Sequence, residues 1–552
     1  METIKNKKFT KAEKSWILYD WANSVYATNM MAAIFPIYYA GVAGDAGDKW
    51  WGIGVSAASL IVAVLAPFLG AFGDFRGMKK KLLIAFLILG VSFTAVTAFT
   101  GSWQLMLVGY VLSHIGFSGA NVFYDSFLTD VTTNDRMDRV SSWGYAMGYL
   151  GGSTIPFVLS IVLLLLTDFS IPAVKASILL TCVWWAVFSI PLLKNVHQKH
   201  YVETPPAQLI GEANRNLWKT MKEIALNRGL LLFIIAYFFY IDGVNTIISL
   251  ATSYGATLGL GSTGMILALL VTQLVAVPFS ILFSRLANRF GSITMIIAAI
   301  AVYFVICGVG FFMGHHIEPY QLELTGLVDE VLPEEEIRSY GYSKHDTQQL
   351  EQLARDFREA GRDAMAETDW PAAFYAANEE GGASGALGAI TEKLTDPQGK
   401  YTFQSPEARQ TAVQAADRLK AAVLAFAADG GKQDAYHGAL AFSTLLFWMM
   451  AVLVGMVQGG IQALSRSYFG KLIPPERSNE FFGFFDIFGK FAAVIGPFLY
   501  SFFYMLTGRA SVGILSLMML FLIGGCILVA GRRRLREAEA ALALKNQSAE
   551  SQ

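Results

Sequence analysis

Charge is what this chain has least of. Asp, Glu, Lys and Arg make up only 15% of its 552 residues, against 54% hydrophobic ones. Soluble globular chains average about 25% charged, so a water-exposed surface of ordinary composition is excluded. Cysteine is scarce too. Cys182, Cys307 and Cys526 all fall in apolar runs, which leaves no disulfide framework and no thiolate cluster for a metal. The adjacent His315 and His316 have no further ligand at useful spacing, so no metal is expected. No phosphate-binding Gly-rich loop, dinucleotide fingerprint or nucleophile constellation occurs. That argues against an enzyme, against a cofactor and against ATP-driven work within this chain. The basic run Arg532-Arg533-Arg534-Leu535-Arg536 fits a membrane surface better than a nucleic acid.

What the chain does have is apolar runs of about 20 residues, the length that crosses a bilayer as a helix. Twelve are expected, at roughly 16–43, 50–73, 81–100, 103–128, 139–166, 172–193, 229–256, 264–286, 292–313, 440–466, 481–506 and 511–531. The reading is an all-α membrane protein with two six-helix halves, 1–193 and 229–531. A polar loop at 194–228 joins them, an acidic insertion at 314–438 interrupts the second, and a tail follows at 532–552. With both termini inside, the inner segments and span edges hold 27 of the 42 Lys and Arg residues and the short outer loops only three. The positive-inside rule therefore places the termini in the cytoplasm and the insertion outside. The first apolar run is too long, and too polar at Asp20 and Asn23, for a cleaved signal peptide.

The insertion has a net charge of −11. Ser405 is placed to cap a helix that starts at Pro406, with Ala412, Ala416, Leu419, Val423 and Phe426 on one face. Leu350, Leu353, Phe357 and Ala364 repeat the pattern, with a turn at Gly381–Gly385 between the two. A small helical outer domain follows.

The two halves echo each other. Tyr19-Asp20-Trp21-Ala22-Asn23-Ser24 and Tyr240-Ile241-Asp242-Gly243-Val244-Asn245-Thr246 each place an aspartate and an amide in an apolar run. The ends of the fourth and tenth spans also align. Asn121 matches Gln462, Ser126 matches Ser467, and Asp125 and Asp130 meet Arg466 and Lys471 with inverted charge. Intramembrane charges are costly and are normally kept for function, and inverted or parallel repeats place substrate where the halves meet.

Asp242 lies near mid-bilayer, which makes it the expected partner of a substrate ammonium, with Asn245 on its face. Asp20 is shallower, and either binds substrate or closes an inner gate. His114, Ser118, Asn121 and Asp125 form one polar face, His114 being a candidate proton carrier or a packing residue. Gln458 and Gln462 form a shorter stripe. Asp486 and Lys490 are spaced as an intrahelical pair, either silent or releasing Lys490 for a substrate carboxylate. Asp125 and Asp130 are expected to pair with Arg466 and Lys471 across the closed inner gate. Gly144, Gly148, Gly151 and Gly152 read as a close-packing face.

Gly70-Ala71-Phe72-Gly73-Asp74-Phe75-Arg76-Gly77-Met78-Lys79-Lys80 resembles the loop signature of the major facilitator superfamily, with Phe75 where a basic residue is usual. By that resemblance Asp74 and Arg76 are conformational residues. A second copy, Ser284–Gly291, has Asn288 in place of the aspartate. YDWANS, SSWGYAMGYLGG, DGVNT, GGIQALSRS and FFGFFDIFGKFAAVIGP resemble the autophagy-related vacuolar effluxer family and its bacterial relatives, over the membrane body but not 314–438. The resemblance implies a major facilitator fold and a secondary carrier, with fungal relatives that export amino acids. The expected partners are a small polar metabolite, amino acids first, the lipid bilayer and a coupling proton or sodium ion, with the chain a monomer in the cell membrane. The rivals are a receptor or scaffold acting through 314–438 and a sodium-coupled sugar carrier.

Overall fold

The computed structural model describes residues 8–168, 170–203, 209–365, 385–395, 400–427 and 430–550. Among them regular structure is helical, apart from one isolated bridge between Phe75 and Val202. The membrane helices are α1 (Lys11–Tyr26), α2 (Ile34–Gly73), α3 (Met78–Phe99), α4 (Trp103–Ser126), α5 (Met137–Met147), α6 (Ile171–Asn195), α7 (Arg228–Thr257), α8 (Ser262–Phe290), α9 (Ser292–Val331), α10 (Gly430–Leu472), α11 (Ser478–Thr507) and α12 (Met518–Glu550). The span of α5 continues through a π-helical stretch, Gly148–Thr154, into a helix at Ile155–Leu166. Large apolar side chains such as Leu105, Leu166 and Met505 point outward, while Asp, Lys and Arg side chains are buried inside. This is the reverse of a soluble protein and fits a lipid surround.

Among the described residues, eleven of the expected spans form helices long and apolar enough to cross a membrane. The first does not form as a single helix. After α1 the backbone widens into π-helical turns at Ala27–Ala32, then enters α2, which runs unbroken through the loop expected at 44–49. The break has a local cause. Ser24 and Thr28 donate back to the carbonyls of Asp20 and Ser24, and the buried Asn29 reaches across to Ser160 (3.1 Å) and Thr181 (3.0 Å).

Missing side chains bring the helices together. A Cβ on Gly70 would fall 2.5 Å from the carbonyl oxygen of Asn479, and one on Gly483 would fall 2.6 Å from that of Ala66, so α2 and α11 meet backbone to backbone across the halves. The glycine face of the α5 span packs on α1. Gly144 faces the Asp20 carboxylate, Gly151 the Trp21 ring, and Gly148 and Gly152 face Ser24.

The insertion begins and ends differently from the expected 314–438. Helix α9 continues without a break to Val331 and α10 starts at Gly430, so both membrane helices rise into it as stalks. Between them lie helices at Glu334–Ser339, Lys344–Met365, Ala386–Thr395 and Pro406–Ala427. Leu350, Leu353 and Phe357 are buried with Ala412, Ala416, Leu419 and Val423, so the two stripes face one core. Ser405 Oγ accepts from the Ala408 amide at 3.2 Å, the expected cap. The expected turn at 381–384, and the side chains of Ala364 and Phe426, lie outside the described residues. At the far end α12 carries on through the predicted tail to Glu550.

Candidate functional site

A cavity of about 330 Å³ lies where the halves meet, within the range of small-molecule sites. Its polar wall comes from α1 (Asp20, Asn23, Ser24), α4 (Asn121, Asp125), α7 (Asn245), α10 (Gln462, Arg466) and α11 (Asp486), with Tyr145 and Tyr237 among its rings. The described side chains lining it carry three carboxylates and one guanidinium.

That guanidinium is the centre of the site. Arg466 donates to Asp20 Oδ2 (3.1 Å) and Asp125 Oδ1 (2.9 Å), and to both the hydroxyl (3.0 Å) and the carbonyl (3.1 Å) of Ser141. Trp16, Tyr124 and Tyr145 surround it, their ring centroids 4.4–5.5 Å from its central carbon. Such a ring cage excludes water and strengthens the charge-assisted bonds. Gly144 makes the room, since any side chain there would meet Asp20 and Arg466. Asn23 donates to Asn121 at 2.7 Å, and Tyr149 to Gln462 at 3.4 Å.

Two further ionic locks join the halves on the side where the termini and central loop lie. In the first, the fully buried Lys79 donates to Asp130 (2.7 Å) and to Ser478 at the start of α11 (2.9 Å), while Asp74 accepts the amides of Asn479 (2.9 Å) and Glu480 (3.0 Å). In the second, Lys471 donates to Asp138 (2.6 Å) and to Ser292 at the start of α9 (3.2 Å). Arg477 adds a link to Glu223 in the central loop.

The expected pairing of Asp130 with Lys471 is therefore corrected. The two are repeat-related, and each closes its own lock with a different partner. Asp125 and Arg466, a turn nearer the middle, do meet. Asp242 is corrected as well. It is buried outside the cavity wall and accepts the Gly496 amide (2.9 Å) and the Thr246 hydroxyl (3.3 Å), pinning α7 to α11. His114 is buried against Tyr110 (3.5 Å) and does not reach the cavity. Gln458 lines a separate apolar pocket beside Met265, Phe447 and Met450. Arg76 is exposed and faces Glu203 at 3.4 Å. The side chain of Lys490 lies outside the described residues.

Sequence reasoning missed Lys79, Asp138 and Ser141. Lys79 stood in the quoted loop signature, and Asp138 was visible as an acid opening the fifth span, but nothing in one chain shows which helix end each faces.

The model of the family described as "Vacuole effluxer Atg22 like" matches residues 53–323 and 443–539, two thirds of the chain. The chain belongs to this family. A Bacillus subtilis (strain 168) relative described as "Uncharacterized MFS-type transporter YxiO" is 37% identical over 536 residues, covering 95% of each chain. Autophagy-related protein 22 of Saccharomyces cerevisiae (strain ATCC 204508 / S288c) is 38% identical over 52 residues, 9% of this chain and 10% of that one. Two solved structures share the fold. They are a bacterial homologue of the iron transporter ferroportin in an outward-facing state (TM-score 0.54, 11% identity, 94% of this chain and 98% of that one) and the MFS transporter FucP in the outward conformation (TM-score 0.54, 10% identity, 95% and 98%). This Atg22-like chain is accordingly a multi-pass MFS-type transporter with the major facilitator fold.

Proposed function

We propose that this Atg22-like protein moves a small polar solute bearing an amino group, amino acids being the leading class, by alternating access coupled to a cation gradient. The described side chains of the cavity wall carry this reading: among them Asp20, Asp125 and Asp486 outnumber Arg466, and neutral amides at Asn23, Asn121, Asn245 and Gln462 stand around them. An ammonium leaving water needs an anionic partner, and a carboxylate needs donors, which the amides and Tyr145 and Tyr237 supply. Asp486 and Asp125 take the ammonium role first assigned to Asp242. The Arg466 cluster and the two locks act as the gate on the termini side, and the excess of Lys and Arg on inner segments supports placing that side in the cytoplasm.

A thermal-shift screen of the purified protein tests the reading, because a ligand of the folded state raises its melting temperature. Amino acids should stabilise it, N-acetylated amino acids should not, and paired Asn245→Ala and Gln462→Ala changes should weaken the effect about tenfold. Stabilisation by hexoses or nucleosides with none by amino acids would replace the substrate class. No stabilisation by any small polar solute would favour the receptor or scaffold alternative.

A further inference from the structure

Asp20 and Asp125 belong to two things at once, the cavity wall and the gate. Among the described residues, the oxygens that hold the Arg466 guanidinium all come from the N-terminal half: Asp20 Oδ2 from α1, Asp125 Oδ1 from α4, and the Ser141 hydroxyl and carbonyl from α5. Arg466 alone comes from the other half. If the halves part on the termini side, one movement strips the cation from two carboxylates.

Nothing described nearby replaces it. The groups facing the pair are Tyr19 on α1, Tyr124 on α4, Tyr145 on α5, Tyr149 on the π-helical stretch that follows it, Tyr237 on α7 and Asp486 on α11: five phenols and another carboxylate. Two ionised carboxylates stranded together in a partly dry site repel each other, so one must bind a proton or both must share a metal cation. We propose that these four oxygens form the binding site of the coupling cation, a monovalent ion that occupies them when Arg466 withdraws. The proposal rests on the transport reading above.

The geometry supplies what such a site requires. The carboxylates are reachable from the cavity while the gate is shut, the Asp125 side chain being 30% exposed and that of Asp20 12% exposed. Once Arg466 leaves, the same oxygens face the termini side. Arg466 thus behaves as a tethered cation competing with a diffusible one. Each excludes the other, so cation binding favours the parted state and a cation gradient biases the cycle. A proton would neutralise one carboxylate, whereas sodium would use all four oxygens.

The test follows the gate rather than the substrate. Met137, buried at the start of α5, packs across the halves at Gly470. A full-length Met137→Cys protein, with the exposed Cys526 changed to Ala, reports parting of the halves by its rate of maleimide labelling in nanodiscs. Only the thiolate reacts, so the rate is taken relative to that of free cysteine at the same pH. On that scale labelling should quicken about tenfold on acidification without sodium, if the ion is a proton, or on sodium addition at alkaline pH, if it is sodium. Asp20→Asn with Asp125→Asn should label fast and respond to neither. Asp125→Asn alone, shown monodisperse, gives a milder form of the same result.

Arg466→Gln separates the gate from the cation site. Fast labelling in Arg466→Gln, beside a wild-type gate indifferent to pH and sodium, leaves the gate standing and overturns the cation site. Slow labelling in Arg466→Gln overturns the gate and the site with it. A pH response that survives in the double Asn variant also overturns the site, because the titrating group then lies elsewhere.

Discussion

Two aspartates with the same Asp-x-x-Asn neighbourhood end in different work. Asp20 faces the Arg466 guanidinium, whereas Asp242 turns to the backbone of α11 at Gly496, just before Pro497. Helical spacing tells which residues share a face but not what stands opposite, and here the opposite helices differ. The amides that follow did keep their equivalence, since Asn23 and Asn245 both line the cavity. Asp242→Asn should therefore behave as a structural change. It should lower stability by about 1–3 kcal/mol, the cost of a weakened buried acceptor, and leave ligand-induced stabilisation intact. Calorimetric melts with and without ligand check both parts, and a normal melt with lost ligand response would return Asp242 to the site. Gly144→Ala should do the opposite. Its methyl group would meet the Asp20 carboxylate and the Arg466 guanidinium, so the bridge shifts while the fold holds. Faster labelling of the Met137→Cys reporter, with helical content unchanged by circular dichroism, is the expected result.

At the level of elements, apolar periodicity placed eleven spans well because lipid imposes one simple demand on a helix. It failed where polar side chains rearrange the backbone, as at the π-helical Ala27–Ala32, and where a helix keeps going past the apolar stretch. Hydropathy falls after residue 313, yet α9 continues to Val331 because its outer turns pack on the insertion: Val328 and Leu332 are buried in the same core as Leu353 and Leu419. An excision of 314–438 would cut the stalks. Replacing 332–429 by a Gly/Ser linker should instead leave a monodisperse protein, read by size-exclusion chromatography. Within the insertion Asp346 ties two helices together, accepting the Gln404 amide (2.7 Å) and the amide (3.1 Å) and hydroxyl (3.0 Å) of Ser405. Burial pushes its carboxyl up, but these hydrogen bonds outweigh that and hold it below the usual carboxylate range. A depressed folded-state pKa contributes stability above the ordinary carboxylate value and loses it as pH falls through the folded value. Protection of the Gln404 and Ser405 amides from hydrogen exchange, taken relative to unstructured peptide at the same pH, should hold at mildly acidic pH and fall only below that range, while Asp346→Asn should lower it at neutral pH.

Across the whole molecule, the duplicated architecture was legible from the aligned ends of α4 and α10, and so was the pairing of Asp125 with Arg466, but Asp130 and Lys471 were misread as partners. A pseudo-two-fold axis brings together only repeat-related residues near it, such as Asp125 and Arg466. Those farther out are carried to opposite sides. There each lock keeps one cation, one anion and one serine, but passes them to different helices: Lys79 on α3, Asp130 after α4 and Ser478 on α11 in one, Lys471 on α10, Asp138 on α5 and Ser292 on α9 in the other. The locks also differ in depth. Lys79 and Asp130 are wholly buried, and Asp130 further accepts the amides of Lys199 (2.8 Å) and His200 (2.9 Å). Beside the Lys471–Asp138 lock lies a pocket of about 330 Å³, lined also by Asn288, Arg536 and Glu539. Removing one member of a dry pair strands the other and costs about 3–5 kcal/mol. Beside a polar pocket the stranded group finds new partners, and the cost falls to the size of a conformational bias. Asp130→Asn should accordingly lower the melting temperature and the yield of folded protein. Asp138→Asn should keep the fold and speed Met137→Cys labelling several-fold. Equal losses of stability in both variants, with no change in labelling for Asp138→Asn, would mean that both locks are structural and that Arg466 alone switches the gate.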